Sequence, residues 1–137
     1  MNTQKATQSS RILVAEDDPV HRSIIVKALK KCGYRVHAVE NGQQAVDALD
    51  QHHYDLILMD CRMPQVSGFE AVRRIRNKEL HTGEYATIIA VTANQGDVEH
   101  DACRKVGMDD FMPKPITPQK LADRVKLWIF RRQAAQD

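Results

Sequence analysis

The sequence predicts an α/β domain built on a five-stranded parallel sheet covered by helices on both faces. Three observations carry this. Five short apolar runs alternate with five helical patterns, and that alternation is the signature of parallel β-α-β units. Most of the runs are continuously apolar rather than alternating, as strands buried on both faces must be. The helical patterns are punctuated at their ends by capping residues and by glycine. With 137 residues the chain has the length of one domain, and 42% apolar residues supply a core in which aromatics, at 5%, play little part.

In chain order, 1–10 reads as a flexible polar leader, 11–131 as the folded domain and 132–137 as a tail or truncated linker. The first run is Arg11–Ala15, followed by a helix with Asp18 as N-cap, Pro19 in its first turn and Gly33 beyond its end. Val20, Ile24, Ala28, Ile25, Leu29 and Cys32 fall at helical spacing and predict one apolar stripe. The second run, Tyr34–Val39, alternates, which predicts an edge strand; a helix follows the Asn41-Gly42 turn with Ala45, Val46 and Leu49 inward. Asp55–Met59 is the third run, and Ser67 with Glu70 forms a capping box for a helix with Phe69, Val72 and Ile75 as its core face. Ala86–Val91 precedes a helix from about Gln95 to Val106, stopped by Gly107. Asp109–Met112 is the last run, and Thr117-Pro118 opens a helix through Leu121, Val125 and Trp128 to Phe130.

Ligands of open α/β sheets bind beyond the carboxyl ends of the strands. There the sequence places Glu16-Asp17-Asp18, Asp60, Thr92 and Lys114. Singly, each has an ordinary reading: an acid after a strand is often a cap, and a lone threonine or lysine is usually solvated. Together they deliver carboxylates, a hydroxyl and an ammonium to one rim, as a phosphoryl site with a hard cation requires.

The segments I-L-V-A-E-D-D-P (12–19), L-I-L-M-D-C-R-M-P-Q-V-S-G (56–68), I-I-A-V-T-A (88–93) and F-M-P-K-P (111–115) resemble the receiver domains of two-component response regulators, most closely those of hybrid histidine kinases. The resemblance runs from about Arg11 to Phe130. It implies the CheY-like, flavodoxin-like (βα)5 fold with strand order 2-1-3-4-5. It also implies a stoichiometric phosphoacceptor rather than an enzyme, in which Asp60 takes a phosphoryl group from a phosphohistidine. Mg2+, or Mn2+ in its place, would be held by Asp17, Asp60, the backbone carbonyl of Arg62 and, through water, Glu16. Thr92, Ala93 and Lys114 would bind the phosphoryl oxygens, Phe111 would be the switch aromatic, and Pro115 would follow a cis peptide. Arg62 and Asn94 would line the path of hydrolytic water. Asp18 and Ser67 stand where many such receivers carry Asn and Asp.

The resemblance further implies a sensor or hybrid histidine kinase, or a histidine phosphotransfer protein, as partner. Docking would use the first helix and the loop after the fifth strand, with Val20 and Ile116 as apolar contacts. The output surface would be the fourth helix, fifth strand and fifth helix, which could form a homodimer or bind a downstream protein.

Other functions are disfavoured by specific residues. A net charge of +2 is too even for a nucleic-acid binder. No apolar run reaches membrane-spanning length, and the expected location is cytoplasmic. Cys32, Cys61 and Cys103 show no zinc or disulfide spacing, and adjacent His52 and His53 cannot share a helix face as metal ligands. An aspartyl phosphatase of the haloacid-dehalogenase type wants an Asp two residues after its nucleophile; Pro19 and Arg62 occupy those positions. A receiver-like interaction module that works without phosphorylation would be expected to have lost acids, and none is missing.

Overall fold

The computed structural model describes residues 10–93 and 96–136. The strands are β1 (Arg11–Ala15), β2 (Arg35–Val39), β3 (Leu56–Asp60), β4 (Thr87–Thr92) and β5 (Asp110–Pro113). The helices are α1 (Pro19–Lys31), α2 (Gly42–Ala48), α3 (Gly68–Thr82), α4 (Asp97–Val106) and α5 (Pro118–Gln136). All strand pairs are parallel, in the order β2-β1-β3-β4-β5. The alternating run thus forms an edge strand. β3 and β4 are buried at every residue, because helices cover both of their faces.

The core is in two layers. Leu13, Ala15, Ile57 and Met59 point to the face packed by α2, α3 and α4, while Ile12, Val14, Leu56 and Leu58 point to the face packed by α1 and α5. No helix among the described residues is long and apolar enough to cross a membrane.

The helix ends follow the expected chemistry with one exception. Asp18 accepts from the N–H groups of Val20 and His21, and Asn41 from that of Gln44. Gly33 and Gly107 adopt left-handed φ of 95° and 104° just beyond α1 and α4. Ser67 Oγ accepts from Glu70 N–H at 3.2 Å, but the capping box is one-sided, because the Glu70 carboxylate is taken by Arg73 and Arg74.

Three further expectations are corrected. The α1 stripe splits: Ile25 and Leu29 are buried, whereas Val20 and Ile24 stand 66% and 41% exposed. Leader residues 1–9 lie outside the described residues, and Ser10 belongs to the fold, being buried with its carbonyl accepting from Arg35 N–H. Residues 132–136, expected as tail, continue α5, where Arg132 reaches the Tyr85 carbonyl and the Asp55 carboxylate.

Arg76 on α3 ties the bottom of the sheet together. Its guanidinium donates to the carbonyls of Ala86 and Gly107, to Glu79 at 2.7 Å and to Asp109 at 3.0 Å. Arg76→Ala would strand the buried Glu79 carboxylate and is expected to cost about 3 kcal/mol in urea unfolding, whereas Arg73→Ala, at an exposed ion pair, should leave the midpoint nearly unchanged.

Candidate functional site

Four strand ends build the site. β1 runs directly into Glu16 and Asp17, β3 ends on Asp60, and β4 ends on Thr92. β5 is followed by Lys114, joined to Pro115 through a cis peptide. Parallel strands in one sheet must end on the same rim, so residues scattered along the sequence meet. Ligand oxygens of Glu16, Asp17 and Asp60 lie within 4.8 Å of one another; Glu16 and Asp60 are buried and Asp17 is exposed.

Each side chain is held in place. One Asp60 oxygen accepts from the Arg62 N–H at 3.0 Å, and the other from Lys114 Nζ at 3.1 Å. Lys114 Nζ also lies 3.5 Å from Glu16, whose second oxygen accepts from the Asp18 N–H. The Lys114 N–H bonds to the Thr92 carbonyl at 2.9 Å, fixing the lysine loop to the end of β4. Thr92 is itself buried.

Three carboxylates face one ammonium, so the cluster is short of positive charge. Burial, with Asp60 alongside, pushes the Glu16 carboxyl up to about 7, against the pull of the Asp18 N–H and Lys114. Burial alone would lower the Lys114 ammonium, but Asp60 and Glu16 outweigh it and hold it above its ordinary value. An all-oxygen donor set with an unmet charge near −2 fits a hard divalent cation.

The remaining expected residues are placed less centrally. The Arg62 side chain is exposed and lines a cleft with Asp17, Cys61 and Glu99. Ala93 is exposed beyond β4, and Asn94 lies outside the described residues. Phe111 is half-buried against the core, with the His100 ring stacked on it at a centroid distance of 3.7 Å and the Arg104 guanidinium at 5.3 Å. His52 and His53 join no metal-binding group among the described residues; His53 pairs with Glu84.

Two positioning features escaped the sequence reading. Arg22 donates to the Glu16 carbonyl at 2.8 Å and pins the acidic loop from α1. The His100–Phe111 stack joins residues on different elements, and only the i, i+4 spacing of His100 and Arg104 hinted that they share a face.

Beside the acids, Ile24, Ile25, Val91, Pro115 and Ile116 line an apolar groove of about 170 Å³ that opens next to Lys114. This explains why Ile24 left the core stripe: it lines a surface depression rather than filling the interior.

Residues 12–126 match the family model of the response regulator receiver domain. Hybrid signal transduction histidine kinase B of Dictyostelium discoideum is 41% identical over 77% of this chain, which spans 6% of that protein's length. The receiver domain of sensor histidine kinase PA1611 from Pseudomonas aeruginosa PAO1, solved with a magnesium ion coordinated in the active site cleft, is 40% identical with a TM-score of 0.79, covering 88% of this chain and 98% of its own. A co-crystal structure of a histidine phosphotransfer signaling protein with the receiver domain of its downstream response regulator, from Saccharomyces cerevisiae, matches at 26% identity and a TM-score of 0.82, covering 88% of each chain. With its strand order, its acidic rim and this match over most of its length, the chain belongs to the response regulator receiver domain family.

Proposed function

We propose that Asp60 is the phosphoacceptor of a two-component phosphorelay. The observation that carries this reading is the convergence of Asp60, Lys114 and the Glu16–Asp17 pair on one rim, with Asp60 buried at the end of β3 and Asp17 exposed beside it. A carboxylate oxygen of Asp60 attacks the phosphorus of a phosphohistidine; the P–N bond breaks and its electron pair returns to the imidazole. The product is an acyl phosphate. Lys114 and the Thr92 hydroxyl, with the Ala93 backbone N–H, neutralise oxygens of the transferred group, since such transfers need positioning and charge compensation more than covalent help.

Asp17 and Asp60, the Arg62 carbonyl and Glu16 through water are the groups that would hold Mg2+, or Mn2+ in its place. When bound, the ion supplies electrostatic stabilisation of the phosphoryl oxygens. Arg22, by fixing the Glu16 carbonyl, positions that donor set.

The chain turns over once per transfer, as a phosphoacceptor and not as an enzyme, and acts in the cytoplasm. The partner is a histidine kinase or a histidine phosphotransfer protein. It docks on α1 and the loop after β5, where the apolar groove would seat a helix and point its histidine toward Lys114 and Asp60. Phe111, the switch aromatic, would carry the change to α4, β5 and α5 for a second copy or a downstream protein.

Incubation with Mg2+ and acetyl phosphate should add one phosphoryl mass on the peptide containing Asp60, and none to the Asp60→Asn chain. An equal adduct on both, or none on the wild type, would overturn the reading. The exposed Arg62 side chain flanks the cleft and should screen the acyl phosphate from water. Arg62→Ala is therefore expected to shorten the phosphoryl half-life about threefold, a barrier change of under about 1 kcal/mol; an unchanged decay would remove Arg62 from this role, as would a slower one.

A further inference from the structure

Cys61 and Cys103 are 42 residues apart in sequence, yet their sulfurs lie 4.0 Å apart in the layer between the sheet and α4. Both are free and buried, at 1% and 0% exposure. Cys32 packs in the other core layer, across the sheet. We propose that Cys61 and Cys103 form an intramolecular disulfide under peroxide, tying α4 to the loop that follows Asp60.

A disulfide brings the sulfurs to about 2.05 Å, so they must close by about 2 Å. The two sides are unequally free to move. Cys61 is clamped at both ends, its N–H donating to the Val91 carbonyl and its carbonyl accepting from the Gly68 N–H, each at 3.1 Å. On α4, by contrast, Cys103 is the one buried residue. A helix anchored by so little apolar surface belongs to the part of a fold that opens most readily. The adjustment therefore falls on α4, and its opening exposes both thiols.

Cys61 also lines the surface cleft shared with Asp17, Arg62 and Glu99, which gives a small oxidant its approach. Burial holds both thiols above their ordinary range, so the reaction runs from the opened form. The Cys61 thiol loses its proton and its sulfur attacks one oxygen of hydrogen peroxide. The O–O bond breaks, the released hydroxide takes up the proton and leaves as water, and a sulfenic acid remains. The Cys103 sulfur then displaces the hydroxyl as a second water, and the S–S bond forms. Two thiols have given up two electrons and two protons to one peroxide. The bond would hold α4 against the loop that follows Asp60, so oxidation restrains one element of the proposed output face. That consequence rests on the phosphoacceptor reading, whereas the bond itself does not.

The test treats the full chain with hydrogen peroxide, then denatures it, titrates thiols and maps peptides. Accessible thiols are expected to fall from three to one, with the Cys61 and Cys103 peptides linked and released by dithiothreitol. Cys32→Ser should form the same link, and Cys103→Ser should trap a sulfenic acid on Cys61. Retention of all three thiols, a bond that includes Cys32, or Cys61 oxidised to sulfinic acid without a link would each overturn the proposal. Mapping of the wild type decides the matter even if Cys103→Ser folds poorly. The Asp60→Asn chain should link as the wild type does, which separates failure here from failure of the phosphoacceptor reading.

Discussion

Asp60→Asn is expected to raise the stability of the metal-free chain while removing its capacity for an acyl adduct. The wild-type site holds Glu16, Asp17 and Asp60 within 4.8 Å, against the single ammonium of Lys114. Two of those carboxylates are buried, where charge is poorly solvated. The strain shows in Glu16, pushed up to about 7 from 4.5 by burial first and by Asp60 second. A raised carboxyl means that the folded chain binds a proton the unfolded chain has already released. Stability from this source is therefore present below about pH 4.5 and is lost as pH rises through about 7.

Replacing the Asp60 carboxylate with an amide removes the neighbouring charge and leaves Lys114 paired with Glu16. In EDTA at pH 8 the gain should be about 1–2 kcal/mol in urea unfolding, shrinking toward pH 5 as Glu16 takes up its proton in the wild type. Adding millimolar Mg2+ should reverse the ranking, because a cation that binds only the folded wild-type site stabilises it by mass action. An Asp60→Asn chain less stable than wild type in EDTA, or equally stabilised by Mg2+, would show that these acids do not form one electrostatic unit.

How much of this was legible in the sequence depends on the range of the physics involved. The strands followed from local pattern and their order from the family resemblance; the rule that parallel strands share a rim then identified Glu16, Asp17, Asp60, Thr92 and Lys114 before any coordinate. The Asp18 cap is local and was equally readable, whereas Asn41, expected as a turn residue, also caps α2. What spacing could not show is which face of an amphipathic helix meets which neighbour. Val20 and Ile24 have the periodicity of core residues, yet Val20 is exposed and Ile24 lines a surface groove. Arg22 carries the signature of a solvated cation and is a strut for the acidic loop. The Cys61–Cys103 approach and the His100–Phe111 stack are products of tertiary packing. The first pair is 42 residues apart and the second joins two different elements, so neither contact shows in any local spacing rule. The reach of α5 beyond Phe130 was missed for a related reason: Arg132 stabilises it through contacts at the far end of the sheet.

Gly68→Ala is expected to damage both stability and the site, although alanine is the better helix former. A Cβ at position 68 would stand 2.2 Å from the Asp60 carbonyl oxygen and 2.9 Å from the Cys61 Cα. Both are backbone atoms, so no side-chain rotation relieves the overlap. Either the N-terminus of α3 lifts away, breaking the Gly68 N–H bond to the Cys61 carbonyl, or the end of β3 shifts and carries Asp60 with it. The first route loses buried contacts of Ala71 and Val72; the second moves the Asp60 carboxylate relative to Lys114. A cost of about 2–4 kcal/mol follows from overpacking against backbone with no room to yield. A displacement of about 1 Å at a reacting group is enough to slow adduct formation by about a hundredfold. Ser67→Ala is the matched control, since it removes only the cap bond to the Glu70 N–H and should cost about 1 kcal/mol with the adduct rate nearly unchanged. Urea unfolding and the rate of acetyl phosphate labelling on the two variants separate the effects. If Gly68→Ala matches Ser67→Ala on both measures, the close approach of α3 to the Asp60 backbone does not constrain the site.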